Sequence, residues 1–340
     1  MGKPDLRDLT PAELRTEMRA LDEPVFRTGQ VFFWLYRKAA SSFESMTNVP
    51  ETLKIRLRER FELKNLEPVE TRRSSDGTEK HLFVFFDGRA VEAVRIPSGR
   101  RSTICLSTQA GCRFGCAFCA SGRHGFQRNL SPSEILGQAL FFARGPGPAP
   151  TNYVFMGMGE PLDNFKSLEK VLRIMNSPEG MGIAARRMTI STAGLVPGIQ
   201  KLAGLNLQVN LSVSIHAAND ALRSRLMPIN RKYPLEDLVA ACEDYIREGG
   251  RMLTLEYVLL RGVNDAQSDV EGLAGIARTL KAKVNLIAFS PVPGLDFERP
   301  TDGEIVRFRR RLEERKVSVT LRLSKGGDIQ AACGQLAGCL

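Results

Sequence analysis

The chain has 340 residues, of which 43% are hydrophobic and 25% are charged, as expected of a globular protein with a sizeable core. No stretch reaches the roughly 18 apolar residues of a membrane-spanning helix, and the opening segment MGKPDLRDLTPAELR lacks the apolar run of a signal peptide. Seven cysteines are too few for a disulfide scaffold, so we expect reduced thiols and a cytoplasmic location without membrane contact.

The charge balance favours a polyanionic partner without identifying one. The net charge is +10 and the isoelectric point is about 9.4, and neutralising each phosphate of a nucleic acid releases condensed counterions. The Lys and Arg residues are scattered along the chain rather than gathered in blocks, so a solvated surface explains them equally well. Nucleic-acid binding therefore stays one of two hypotheses at this point.

Residues 1–62 predict a small helical domain. The sequence Thr10-Pro11-Ala12-Glu13 combines an N-cap threonine, a proline at the first helical position and a glutamate at the third. Residues 29–39 and the segment ETLKIRLRERFEL after Pro50 carry apolar residues at helical spacing. We interpret this domain and the basic segment IVRFRRRLEERK as candidate contacts for an RNA backbone, whose binding would weaken steeply with salt.

Residues 63–100 predict an antiparallel β linker between two domains. The segments VETRRSS, KHLFVFF and AVEAVRIP are short and rich in β-branched and aromatic residues, which is typical of strands. Asp76-Gly77 and Asp87-Gly88 separate them, and such dipeptides favour tight hairpin turns because they accept a left-handed backbone.

Residues 101–323 predict an α/β domain, because near-continuous apolar segments that alternate with helical stretches are typical of parallel β/α units. The strand candidates are STICLS, NYVFMG, MTIST, QVNLSVSIH, MLTLEYVLL and KVNLIAFS. The helix candidates are 132–144, 164–176, 235–248, 267–280 and 302–315. Six units are fewer than the eight of a complete barrel, so we expect a partial (β/α)6 barrel with its functional residues at the C-terminal ends of strands. Residues 324–340 form a tail without a helix or strand pattern.

Three cysteines are gathered just after the first strand candidate of the α/β domain. Cys112, Cys116 and Cys119 have the spacing Cys-x3-Cys-x2-Cys, with glycines before and between them that permit tight turns. Thiolates at this spacing suit zinc or an iron–sulfur cluster. A structural zinc site is normally closed by four ligands, for which His124 is a candidate. A four-iron cluster held by three cysteines instead leaves one iron open to a substrate.

With this motif the chain resembles the RlmN/Cfr family of radical S-adenosylmethionine (SAM) RNA methyltransferases over essentially its whole length. The matching segments are 46–48 (MTN), 105–112 (CLSTQAGC), 125–130 (GFQRNL), 156–164 (MGMGEPLDN), 214–217 (SIHA) with 219–220 (ND), 228–230 (PIN) and 328–336 (DIQAACGQL). The tail motif together with the upstream Cys105 is the most family-specific element, because radical SAM enzymes in general lack it.

The resemblance implies methylation of C2 of an adenosine in RNA, in the peptidyl-transferase region of 23S rRNA or in a tRNA anticodon loop. One SAM would methylate the Cys333 thiolate by displacement, and a second would yield a 5′-deoxyadenosyl radical that takes a hydrogen from the new S-methyl group. The resulting carbon radical would add to the electron-poor C2. Cys105 would then release the RNA by forming a disulfide with Cys333, and Glu92 matches the family's proton acceptor.

The resemblance also implies where the cofactors bind. A [4Fe-4S] cluster would be held by Cys112, Cys116 and Cys119, and two SAM molecules would be used per turnover. The implied SAM contacts are Gly159, Glu160, Ser191, Ser214, Ile215, His216 and Ser290. Ser290 stands where the family has asparagine, and Lys325 stands where it has arginine. The implied partners are RNA and a flavodoxin-type reductant, and we expect a monomer.

Several of these residues have structural readings that do not need the family. Ser191 and Ser214 could cap strand ends, and His216 could be a packed core histidine. Glu92 reads as an exposed strand glutamate, and Cys105 as a buried core residue, since free cysteine packs as a small hydrophobe. The remaining cysteines, Cys242 and Cys339, are expected to be core and incidental, respectively. Cys333 lies in a tail of small residues whose mobility would let it reach both SAM and the RNA.

Three alternative functions stay open. A family member could methylate C8 of adenine, or act on a different RNA. A radical SAM enzyme of another class would lack the pair formed by Cys105 and Cys333. An electron-transfer or RNA-binding iron–sulfur protein would not cleave SAM, and an electron carrier would usually bind all four irons through cysteine.

Overall fold

The computed structural model describes residues 2–145, 147–322 and 324–338. The strands in these ranges are β1 (Pro68–Arg73), β2 (Glu79–Val84), β3 (Ala90–Ser98), β4 (Arg101–Cys105), β5 (Gln109–Gly111), β6 (Phe126–Asn129), β7 (Asn152–Phe155), β8 (Met188–Thr192), β9 (Asn210–Ser214), β10 (Thr254–Leu259), β11 (Lys283–Ala288) and β12 (Val319–Arg322). The α-helices are α1 (Pro11–Ala20), α2 (Phe26–Phe32), α3 (Glu51–Arg60), α4 (Ala120–Arg123), α5 (Pro132–Arg144), α6 (Phe165–Asn176), α7 (Val196–Ala203), α8 (Asp220–Leu226), α9 (Leu235–Arg247), α10 (Gln267–Thr279) and α11 (Asp302–Glu314). Ten strands form one sheet in the order β1-β2-β3-β4-β7-β8-β9-β10-β11-β12, and β5 pairs with β6 in a second sheet.

The N-terminal helices form where the sequence predicts them. At the start of α1, the Thr10 side chain accepts a hydrogen bond from the Glu13 backbone N–H (3.3 Å), and the Glu13 carboxylate accepts one from the Thr10 backbone N–H (2.7 Å). This reciprocal pair is the capping box. Apolar side chains such as Leu14 of α1 and Leu53 of α3 are fully buried in the same core cluster as the main sheet. The helical region therefore packs directly on the rest of the molecule.

The antiparallel strands predicted for residues 63–100 form β1, β2 and β3, with left-handed glycines at Gly77 and Gly88 in the two turns. They continue the main sheet, because β3 pairs antiparallel with β4 and places Val94 opposite Cys105. Cys105 is the last residue of β4. The part of β3 that precedes Val94, including Glu92, therefore extends past the end of β4.

Strands β4 and β7 to β12 are parallel to one another, which confirms the predicted α/β class. Six of them match the strand candidates. The seventh, β12, was missed because it is short and only partly buried, and so lacks an apolar run. Helices α7 and α8 were also outside the predicted set. Among the described residues, no helix combines the length and the apolar character needed to cross a bilayer.

Candidate active site

The loop that carries the three cysteines connects β5 to β6, next to the carboxyl ends of the parallel strands. Gly111 ends β5 with a φ of 71°, and a Cβ atom there would lie 1.7 Å from the Gly125 carbonyl oxygen. Only glycine permits this close approach. The Cys112 backbone N–H donates to the same oxygen (3.1 Å), and the Cys119 N–H donates to the Cys116 carbonyl (3.1 Å). Backbone hydrogen bonds thus fix the loop at its base and at its turn.

An open cavity lies between this loop and the strand ends. It gathers side chains from β7, β8 and β9, because parallel strands end at the same edge of the sheet. The predicted site residues that line it are Cys112, Cys116, Cys119, Gly159, Glu160, Ser191, Ser214, His216 and Cys333. The structure therefore brings together residues that are up to 221 positions apart in the sequence (Cys112 to Cys333).

Four predicted site residues do not line this cavity. Ile215 and Cys105 are buried, and the Ser290 hydroxyl donates a hydrogen bond to the Ser324 hydroxyl (2.9 Å). Glu92 is only 5% exposed, so its reading as an exposed strand glutamate is wrong. Its carboxylate instead forms an ion pair with Lys80.

The positions of two further residues, Cys242 and His124, can be compared with what the sequence predicted. Cys242 is fully buried in α9, which confirms its expected place in the core. His124, the candidate fourth zinc ligand, is exposed and does not line the cavity. Cys339 lies outside the described residues.

The three loop thiols fit a metal cluster better than a set of free thiols. Burial raises the pKa of Cys112 to about 12, and burial together with the neighbouring thiols Cys119 and Cys112 raises the pKa of Cys116 well above its ordinary value. Buried thiols of this kind ionise readily only beside a cation, which a metal supplies. Within the described ranges, no three His, Cys, Asp or Glu side chains converge on a single ion. An iron–sulfur cluster is wider than one ion, so its thiolates stand further apart.

Glu160 places a buried carboxylate in the cavity wall. Its Oε2 accepts a hydrogen bond from the Ala193 N–H (2.7 Å) and its Oε1 accepts one from the Leu162 N–H (3.1 Å). Burial raises its pKa to about 7 although these hydrogen bonds lower it. A cationic group in the cavity would favour the ionised carboxylate, because an opposite charge lowers the pKa of an acid.

His216 is held as a neutral imidazole in the same wall. Its Nδ1 accepts a hydrogen bond from the Val258 N–H (3.0 Å), which leaves the ring proton on Nε2. Burial, assisted by the charge of Arg223, lowers its pKa to about 3. The ring packs edge-on against Phe118, with 4.7 Å between ring centroids. His216 is therefore both a packed histidine and a cavity residue with an N–H to donate.

Arg223, which the sequence analysis did not single out, ties the ends of β8 and β9 together. Its guanidinium is fully buried and donates to the carbonyl oxygens of Ala193 (2.8 Å), Ser214 (3.1 Å) and Ile215 (3.2 Å). It also donates to the Asn230 side chain (2.8 Å). The only sequence signal for this network was the Pro-Ile-Asn segment that contains Asn230.

Replacing Arg223 by methionine is expected to lower the free energy of unfolding by about 3 kcal/mol or more, because four acceptors, two of them buried and two partly buried, lose their donor. The matched control is Arg225→Met, which changes an exposed arginine on the same helix and should cost no more than about 0.5 kcal/mol. Urea denaturation of both variants measures the difference. Equal midpoints for the two variants would contradict the role given to Arg223.

The tail brings Cys333 into the cavity wall beside Arg322, the last residue of β12. Cys333 is exposed, and its thiolate is the main cause of the raised pKa of Arg322, with Glu256 and Cys105 adding to it. Burial and the proximity of Cys333 raise the pKa of Cys105 to about 12. Arg322 and Glu256 also line the cavity but could not be predicted, because isolated charges in strands carry no motif.

Comparison with known proteins agrees with this geometry. Residues 106–273 match the model of the radical SAM superfamily, and residues 4–63 match that of the ribosomal RNA large subunit methyltransferase N-terminal domain. The crystal structure of a radical SAM methyltransferase from Sphaerobacter thermophilus is 45% identical, with a TM-score of 0.93 over 98% of this chain and 99% of that chain. The fold and the three-cysteine loop thus define a radical SAM methyltransferase, a class that uses a [4Fe-4S] cluster and SAM.

Curated relatives narrow the class to one family. The dual-specificity RNA methyltransferase RlmN of Anaeromyxobacter dehalogenans is 46% identical over 98% of this chain and 92% of its own length. The protein of the same name from Geotalea uraniireducens is 42% identical over 100% and 98%, respectively. The chain belongs to the RlmN family. This confirms the resemblance and the fold expected from the sequence.

Proposed function

We propose that this protein methylates C2 of an adenosine in RNA and uses the Cys333 sulfur to carry the methyl carbon. The observation that supports this proposal is the position of Cys333, which shares one cavity wall with Cys112, Cys116 and Cys119. A thiol in the wall of a SAM site can receive a methyl group there. Relatives named as dual-specificity RNA methyltransferases support RNA as the substrate, and we propose 23S rRNA and a tRNA anticodon loop as its two forms.

Different residues of the cavity would hold the iron–sulfur cluster and SAM. Cys112, Cys116 and Cys119 would hold the [4Fe-4S] cluster, which supplies the electron for reductive cleavage of SAM when it is bound. Glu160, buried and ionisable, would accept a charge-assisted hydrogen bond from the SAM amino group. The remaining SAM contacts that we propose from the cavity wall are Gly159, Ser191, Ser214 and His216. Ile215 and Ser290 would support this wall from positions outside the cavity.

The Cys333 thiolate would first displace the methyl group of one SAM, forming an S–CH3 bond as the sulfonium C–S bond breaks. The cation of Arg322 lines the same cavity as Cys333. S-methylated Cys333 would then lose one methyl hydrogen to the radical generated from the second SAM, and its carbon would bond to C2 of the adenine. The adduct would then lose one electron, for which the cluster held by Cys112, Cys116 and Cys119 would be the acceptor, and its C2 proton, which Glu92 would accept. The Cys105 thiolate would attack the Cys333 sulfur to form a disulfide as the S–CH2 bond breaks, and the freed carbon would take up a proton to become the methyl group of the RNA.

The test is anaerobic reconstitution with SAM, dithionite and either an rRNA fragment or tRNA, followed by digestion to nucleosides and mass spectrometry. We expect 2-methyladenosine. With trideuteriomethyl SAM, the new methyl group should keep two deuterium atoms, because the third leaves with 5′-deoxyadenosine. The product 8-methyladenosine would overturn the C2 assignment. SAM cleavage without any methylated adenosine would overturn the proposed activity. A protein that holds the iron–sulfur cluster but leaves SAM intact would overturn it as well.

A further inference from the structure

The tail (residues 324–338 of the described chain) is attached to the antiparallel strands on both sides of Cys333. On the N-terminal side, the Gly326 N–H donates to the Asp76 carboxylate (3.0 Å). On the C-terminal side, the N–H groups of Ala337 and Gly338 donate to Glu92 Oε2 at 2.7 Å and 3.1 Å. Cys333 therefore lies on a segment that is fastened at both ends, rather than on a loose end as its composition suggested.

A buried ion pair connects the two sides of the tail. Lys80 Nζ lies 2.7 Å from Glu92 Oε1 and also donates to the Gln330 carbonyl oxygen (3.2 Å). Lys80 is 6% exposed and Glu92 is 5% exposed. Charges removed from water to this extent are stable only when they are paired and hydrogen-bonded. Lys80 therefore links the tail before Cys333 to the glutamate that holds the tail after it.

We propose that Lys80 and Glu92 are positioning residues that hold the tail docked, with Cys333 in the cavity wall, and that the docked tail blocks the Glu92 carboxylate. We call the five residues that form these contacts the tail latch: Lys80, Glu92, Gln330, Ala337 and Gly338. Both carboxylate oxygens of Glu92 are engaged in the docked state, Oε1 by Lys80 and Oε2 by the two backbone N–H groups. Glu92 can receive a proton at Oε2 only after the peptide at Ala337 and Gly338 has moved away.

This inference rests on the proposed function, because the chemical steps proposed for Cys333 set the order in which the tail docks and undocks. Cys333 contacts SAM while the tail is docked and both carboxylate oxygens of Glu92 are engaged by Lys80 and the tail N–H groups. The proton acceptor becomes available only when the end of the tail undocks, after the sulfur has taken up its carbon. Lys80 can remain paired with Oε1 during this change, so the glutamate keeps a buried partner.

Two glycines of the tail provide a matched pair of variants that leave both charged residues intact. Gly338 has a φ of 62°, and a Cβ atom there would lie 2.6 Å from Met158 Cε and 2.7 Å from the Ala90 carbonyl oxygen. Gly338→Ala should therefore undock the end of the tail. A Cβ atom at Gly327 would meet nothing within 4 Å, so Gly327→Ala is the control.

The measurement is hydrogen exchange, followed by mass spectrometry, of the cluster-loaded enzyme without RNA. Gly338→Ala and Lys80→Met should each accelerate exchange of the amides at residues 334–338 by about tenfold or more, while Gly327→Ala and Lys80→Arg stay near wild type. Steady-state assays should show a lower kcat for RNA methylation in Gly338→Ala and Lys80→Met, with an unchanged KM for RNA. A change in folding stability alone would not produce this combination.

Wild-type exchange rates in both Gly338→Ala and Lys80→Met would overturn the latch. Equal acceleration in Gly327→Ala would also overturn it, because the effect would then not depend on the Glu92 contact. Failure of the latch can be distinguished from failure of the proposed function. Mass spectrometry of the wild-type tail peptide shows whether Cys333 becomes methylated. If Cys333 is never methylated, the proposed function is refuted, and the exchange data still test whether the latch holds the tail.

Discussion

The Cys333→Ala variant is expected to lose RNA methylation by a factor on the order of 10³ or more, because the carrier of the methyl carbon is gone. Cleavage of SAM by dithionite-reduced enzyme should persist, since the residues proposed to hold the cluster and SAM are unchanged. The two activities are measured on one sample, as methyladenosine in digested RNA and as 5′-deoxyadenosine in solution.

The control for this variant is Cys242→Ala, which removes a thiol that is fully buried in α9 and does not line the cavity. It should lower stability through a small core cavity and leave methylation near the wild-type rate. Methylation of RNA by Cys333→Ala would falsify the carrier mechanism and point to direct transfer from SAM. Loss of SAM cleavage together with methylation would show that the substitution damages the cofactor site.

The Cys116→Ala variant should lose both SAM cleavage and RNA methylation, again by a factor on the order of 10³ or more, because a four-iron cluster with two protein ligands is not retained. Iron content and the visible absorption of the anaerobically reconstituted protein should fall with the activities. Circular dichroism should remain close to that of the wild type, since the Cys116 side chain lies in the cavity wall.

His124→Ala is the matched control, because it tests the zinc alternative on the same loop. His124 is exposed and outside the cavity wall, so the variant should keep its iron and both activities. Zinc in place of iron in the wild-type protein, lost in both variants, would support a structural metal site and contradict a radical enzyme.

The pKa values of the cavity groups favour the binding of positively charged partners in the site. Burial raises the pKa of Cys112, Cys116 and Glu160, so their charged forms are costly unless a positively charged partner lies beside them. A metal cluster and a cationic amino group are the partners that favour those charged forms. His216 has the opposite property, because its pKa, lowered to about 3, keeps it a neutral donor at neutral pH.

Local sequence signals were sufficient for most of the fold. The capping box at Thr10 and Glu13 depends on residues three positions apart, and the turns at Gly77 and Gly88 depend on two-residue signals, so both could be predicted. Strand β12 could not, because it is only partly buried and lacks an apolar run. Helices α7 and α8 could not, because seven or eight residues carry too little helical periodicity. Their places are set by the neighbours on which they pack.

The sequence by itself determined the family, the three cysteines and the distant Cys333, because each is a motif that is readable without knowing what lies near it. Only the tertiary structure decided that Arg223 ties two strand ends together, that Arg322 lies beside Cys333, and that Glu92 is buried under the tail instead of exposed. The physical reason is the same in each case. The environment of a charged side chain is made by residues far away in the chain, and no local pattern records whether that charge will face water, an opposite charge or a row of backbone N–H groups.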